Sequence, residues 1–128
     1  MISGGHRGGI LGESSYNNST RIINNYNIGI VDENEGKSAG LICGYAEGTT
    51  IVNSYYKKIN NMEGVGRKGI TAEMPTNDNS VGYDEKDMKN SKLINNLNNY
   101  IDENKETDDS VKNWKRWKIG DDGYPTFE

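Results

Sequence analysis

Two stretches of this chain repeat one another, and a repeat of that length, built from those residues, leaves few folds open. Gly8-Gly9-Ile10-Leu11-Gly12 returns as Gly40-Leu41-Ile42-Cys43-Gly44 at a spacing of 32, and Ile22-Ile23-Asn24-Asn25-Tyr26-Asn27 returns as Ile51-Val52-Asn53-Ser54-Tyr55-Tyr56 at 29. Each copy is an apolar pair between glycines, a variable turn and an Ile-x-Asn-x-Tyr strand. The first copy's connection, around 14–20, is three residues longer. Ile28, Ile30 and Val31 extend that copy's strand up to the acidic turn Asp32-Glu33-Asn34-Glu35-Gly36.

A period near 30 residues, with short strands, Gly/Asn turns and no helix long enough for a crossover, predicts a mainly β fold. Its form is a short right-handed parallel β-helix (β-solenoid) in which equivalent strands stack. Side chains then form ladders: Ile10 over Ile42, Leu11 over Cys43 and Ile22 over Ile51 in the interior, and Asn24 over Asn53 joined through their amides. The orientation of the Tyr26 and Tyr55 pair is left open by a change of parity at Asn24. An antiparallel sandwich with coincidental repetition is the alternative. Composition agrees with strands and turns, since 18 Asn, 16 Gly and 13 Ile stand against 4 Leu and 3 Ala. Asn and Gly enter left-handed backbone cheaply and Ile suits a pleated surface, although an AT-rich genome would produce part of the same bias.

The pattern changes after residue 83. Leu93, Ile94, Leu97, Tyr100 and Ile101 form one helical stripe, so an amphipathic helix is expected from Asp84 to about Tyr100, with Asp84 and Asp87 as an acidic N-terminal cap. Lys89, Asn95, Asn96 and Asn99 make its solvated face. Beyond a charged loop at 102–110, Trp114, Trp117 and Ile119 lead into Gly120-Asp121-Asp122-Gly123, and Tyr124, Pro125 and Phe127 follow as a terminal strand or hairpin. The expected organisation is therefore a β-solenoid over 1–83 (copies at about 8–38 and 39–60, an irregular third coil at 61–83) and a cap over 84–128. A solenoid's last coil exposes an apolar cross-section and unpaired backbone, which the helix and Trp-rich tail have the apolar content to cover. Residues 61–128 hold 14 acidic and 10 basic side chains, whereas 1–60 are balanced at 5 and 5. Residues 1–8 offer almost no cap at the other end, so the chain reads as the terminal piece of a longer protein.

Chemistry is sparse. The net charge of −4 with no basic stripe argues against nucleic acid and against a membrane surface, and no apolar run is long enough to span a bilayer. A nucleophile would need Cys43 beside the single histidine, His6, in a Gly-flanked segment expected to be mobile; Cys43 reads better as a small buried hydrophobe. One His and one Cys make no zinc site without carboxylates, and the acidic turns lack the alternating spacing of a calcium loop. No catalytic, cofactor or metal residues are assigned. Glu13, Asp32 and Glu47 sit at turns or strand ends, but nothing pairs them across a cleft as polysaccharide cleavage requires. Tyr16, Tyr45, Tyr56 and Trp114 are the candidate ligand contacts, able to stack on sugar rings if exposed.

Gly-Ile-Leu-Gly followed by Ile-x-Asn-x-Tyr-Asn-x-Gly-x-Val, here Gly9 to Gly12 and Ile22 to Val31, resembles the GLUG-type repeat of bacterial, often Gram-positive, cell-surface proteins. Ala39 to Tyr45 with Glu47-Gly48-Thr49 resembles the same repeat, and the Leu93 region, the Trp and Gly123-Tyr124-Pro125 are similar to segments that close such arrays. Asn25 and Ser54 stand where family members often carry Cys, and Leu41 replaces a Gly. The resemblance implies a non-enzymatic structural or interaction module, the terminal piece of a surface-displayed or secreted stalk or adhesin. Its implied partners are the other domains of a longer parent protein, with a surface glycan or host protein as ligand; it supplies no catalytic residues. A carbohydrate-binding module for cell-wall or host glycans is the second reading.

Overall fold

The computed structural model describes residues 5–14, 20–32, 38–69 and 75–128, which fall into two compact units, Met1–Gly82 and Tyr83–Glu128. The chain is mainly β with parallel sheets. In the first unit, β1 (His6–Gly8), β2 (Leu11–Ser14) and β3 (Arg21–Asn27) form one tier. A second tier holds β4 (Ser38–Gly40), β5 (Cys43–Ala46) and β6 (Thr50–Lys57). A third holds β7 (Val65–Lys68) and β8 (Asn77–Asp78), and β9 (Val81–Tyr83) also pairs with β6.

The pairings β1–β4, β2–β5–β7 and β3–β6–β8 are parallel, and between the first two tiers the register follows the repeat. Leu11 faces Cys43, Ile22 faces Ile51, Asn25 faces Ser54 and Tyr26 faces Tyr55. Tier three continues the ladders with Cys43 opposite Val65 and Thr50 opposite Asn77. Its spacings of 22 and 27 differ from those of the first two copies, so the coil expected at 61–83 does not align with them residue by residue. The bends between short strands are also copied: Ile10 and Leu11 N–H both donate to Ile42 O (2.9 and 3.1 Å), and Ile42 and Cys43 N–H both donate to Gly64 O (2.8 and 2.9 Å).

Asn24 and Asn53 explain the change of parity. Both have left-handed backbone, φ 58° and 49°, a conformation that an Asn tolerates far better than a β-branched residue. A left-handed residue inside a strand interrupts the two-residue alternation of faces. Ile51 is buried before the corner, and Ser54, Tyr55 and Tyr56 are all buried after it. Asn53 Nδ2 donates to Asn24 Oδ1 at 2.7 Å, and Tyr55 Oη donates to Asn53 Oδ1 at 2.6 Å. The expected amide ladder is therefore present, and it ties together the two corners that require Asn.

The core of this unit is Ile22, Leu41, Ile42, Cys43, Ala46, Ile51, Tyr56 and Val65. Gly40 and Gly44 allow the tiers to meet closely: a Cβ on Gly44 would lie 2.6 Å from Arg7 N, Arg7 O and Gly12 O, and one on Gly40 would lie 2.5 Å from Gly66 N and 2.8 Å from Gly64 O. Two expectations for the first copy are corrected. Ile10 is 46% exposed rather than interior, because it lies in the outermost tier among the described residues. The strand stops at Asn27, whose side chain accepts from Gly29 N–H (2.9 Å) and donates to Leu41 O (2.8 Å), so Ile28, Ile30 and Val31 do not extend it. Ile30 is 84% exposed, while Val31 packs against the core. His6, which precedes the first copy, begins β1. The connection at 15–19 and the acidic turn at 33–37 lie outside the described residues.

The second unit holds two helices in place of the expected one. α1 (Glu85–Met88) ends at Lys89, and α2 (Ser91–Asn104) restarts after Asn90, whose Oδ1 accepts from Lys92 N–H at 2.8 Å as an N-cap. Asp84 occupies the N-cap position of α1 but makes no side-chain cap bond. Leu93, Ile94, Leu97 and Ile101 are the buried stripe of α2. Not all of the polar face is solvated, because Asn96 Nδ2 donates to Tyr83 Oη (3.0 Å) and Lys89 lies over the Tyr124 ring. The tail is a hairpin of β10 (Trp117–Ile119) and β11 (Pro125–Phe127), antiparallel, with Trp117 against Phe127. Asn98 fastens it to α2 by accepting from Trp117 N–H (2.8 Å) and donating to Trp117 O (2.9 Å), as a neighbouring strand would.

Candidate functional site

Parallel register places Glu13, Tyr45 and Arg67 in one row across β2, β5 and β7. The repeat puts Glu13 opposite Tyr45 automatically, since they are 32 residues apart. His6, brought beside Ser38 by the pairing of β1 with β4, stacks on Tyr45 with ring centroids 5.0 Å apart. Its Nδ1 hydrogen-bonds Ser38 Oγ at 2.5 Å, and its Nε2 lies 3.9 Å from Glu13 Oε1. The Arg67 guanidinium lies 6.0 Å from the Tyr45 centroid, and Tyr45 Oη donates to the buried Glu47 (3.0 Å). The result is a polar row along the tiers with the Glu13 carboxylate at one end, the Arg67 guanidinium at the other and the Tyr45 ring between them.

Beside it, at the end of tier one, a groove of about 490 Å³ is lined by His6, Arg7, Gly9, Asn27, Ile30 and Asp32, among others. Arg7 donates across it to Asp32 O (3.2 Å). Backbone and glycines make up much of its wall, so it offers hydrogen-bonding edges and a little apolar surface rather than an array of acids and bases.

Cys43 is fully buried, its thiol donates to Tyr45 O (3.2 Å), and desolvation pushes its pKa up to about 11. A thiol held protonated is a poor nucleophile, and the His6 ring is engaged by Ser38, Glu13 and Tyr45. Among the described residues, no group of three or more His, Cys, Asp or Glu side chains could hold a metal ion. No helix among them is long and apolar enough to cross a membrane.

The candidate ligand contacts are scattered. Tyr45 belongs to the polar row and its ring already carries His6. Tyr56 is 8% exposed, and its phenol pKa is raised by desolvation and by Glu63 and Asp78; a buried ring has no free face for a sugar. Trp114, in the second unit, stacks on Tyr100 at 6.1 Å. Tyr16 lies outside the described residues. Sequence reasoning missed the contributions of His6 and Arg67. Extending the 32-residue alignment two positions upstream of Gly8 would have found His6 beside Ser38, whereas Arg67 sits in the tier whose altered spacing conceals it. No family model matches the chain, and neither the curated proteins nor the solved structures contain a match.

Proposed function

We propose that the first unit is a short right-handed parallel β-helix of GLUG-type repeats, and that the chain works without catalysis as a spacing and interaction module in a bacterial surface-displayed stalk or adhesin. The observation that carries this reading is the Asn24–Asn53 amide bond between two left-handed corners 29 residues apart. It is a device for stacking identical units at fixed separation. A parallel core tied across two tiers by an amide hydrogen bond suits a spacer; an internally paired polar row and a mostly backbone groove leave little for catalysis to use. The second unit, with its buried helical stripe and hairpin, is the cap in this reading.

Mild protease treatment of intact cells, followed by detection of the module in the released and the cytosolic fractions, tests the placement. Release from the surface supports the reading, and retention in the cytosol of lysed cells rejects it. A glycan array with the purified chain is expected to be silent; saturable binding of one glycan class would install the carbohydrate-binding alternative. For the cap, Leu97→Asp buries an unpaired charge at a fully buried position, a change that costs several kcal/mol. Larger species on size exclusion with strand circular dichroism retained are expected, whereas a monomer with unchanged melting would remove the cap role.

A further inference from the structure

Among the described residues, the three parallel sheets all present an edge at the same end of the first unit, where β1, β2 and β3 each pair with one described strand. We propose that this end is a docking surface for one further tier of the same repeat, contributed by the polypeptide to which the module is joined. The proposal rests on the spacing-module reading and identifies the partner that reading requires.

The molecule itself shows what covers such a face, since tier two presents the same pattern and tier one covers it. Ile42 is fully buried beneath tier one, whereas its counterpart Ile10 is 46% exposed. Asn53 donates its amide up to Asn24 Oδ1, but among the described residues nothing accepts from Asn24 Nδ2, which occupies the donating position one tier further out. Ser54 Oγ reaches Ile22 O of tier one (3.4 Å), while its counterpart Asn25 keeps a buried Oδ1 with no hydrogen-bond partner. An added tier supplies an acceptor for Asn24 and donors near Asn25, and it covers Ile10. The opposite end is a weaker template: β8 has two residues against seven in β3, and it carries a charged Asp78 paired with Lys68 at 3.8 Å.

The test inserts a duplicate of residues 8–39 after Arg7 of the full chain, so that the original tier one receives a copy of itself in the register His6–Ser38 and Arg7–Ala39. The expected result is a monomer whose melting temperature rises by about 5 °C or more, with amide exchange in the original β2 and β3 slowed at least about tenfold. Ile10→Glu or Asn24→Gly in the original copy should cancel the gain. Both variants are chosen to fold, because Ile10 is half exposed and glycine accepts the positive φ of position 24. An inserted segment cut rapidly by trypsin, with melting unchanged, would overturn the proposal. So would self-association of the unmodified chain that Ile10→Glu abolishes, because it would assign the face to a second copy. Neither outcome touches the cell-surface release experiment, so failure here is separable from failure of the functional reading.

Discussion

Tiers one and two carry nearly the same sequence pattern and differ in what they bury. Leu41, Ile42, Cys43 and Ile51 are fully buried, while Ile10 is half exposed and Leu11 only partly covered. The difference lies in neighbours rather than in side chains: among the described residues, tier two has a tier on both sides, and tier one has a tier on one. In a stacked architecture each unit's stability comes largely from its interfaces, so equal residues are unequal in worth.

The sharpest way to break this comparison uses the paired glycines 12 and 44. A Cβ on Gly44 meets three backbone atoms of tier one at 2.6 Å, whereas on Gly12 the nearest atom outside its own neighbours is His6 O at 3.1 Å. Backbone cannot move aside as a flexible side chain can. Gly44→Ala is therefore expected to cost about 3 kcal/mol or more in urea denaturation, and Gly12→Ala about 1 or less. Equal shifts in the midpoints would mean that the tiers do not approach as described.

Truncation of the apolar ladder should give the next largest contrast. Ile51→Ala empties a fully enclosed site and should destabilise by about 2–5 kcal/mol, whereas Ile10→Ala, already half in water, should cost under about 1. Similar losses at the two positions would place Ile10 in the core and contradict the open end.

The smallest contrast concerns thiols. Cys43, protonated up to pH about 11 and shielded, should react with a maleimide only through opening of the fold, whereas a cysteine placed by Leu11→Cys in a Cys43→Ala background should label at least about tenfold faster at pH 8. Because the folded pKa of Cys43 lies above the unfolded value of 9.0, the unfolded chain gives up its proton first. The contribution of this group to stability is thus complete below pH 9 and is lost as the pH rises toward 11. A native chain whose denaturation midpoint does not fall across that interval would show that the thiol is not enclosed.

Much of this architecture was legible in the chain because a repeat states its own pairing. The spacings of 32 and 29 already contain the register of Leu11 with Cys43 and of Ile22 with Ile51, and an Asn at the same place in both copies announces the amide bond. The helical stripe of Leu93, Ile94, Leu97 and Ile101 was readable from its period alone. The break at Asn90 was not, because Asn is equally at home on a polar helix face and at an N-cap, and only the backbone shows which role it takes.

What the linear order determined is therefore what local chemistry and repetition can encode: short strands, an Asn at the same place in both copies, glycines at the bends, an amphipathic helical stripe and a terminal strand or hairpin. What the tertiary structure alone decided is everything that depends on a neighbour distant in the chain. The third tier escapes the alignment because Val65 and Asn77 join the stack through backbone hydrogen bonds, which need no particular side chain. The partners of His6, the coverage of Tyr45 and the burial of Tyr56 arise where strands from different tiers converge. Ile10 and Ile42 are alike as residues, and they separate only because Ile42 has a further tier over it and Ile10, among the described residues, has none.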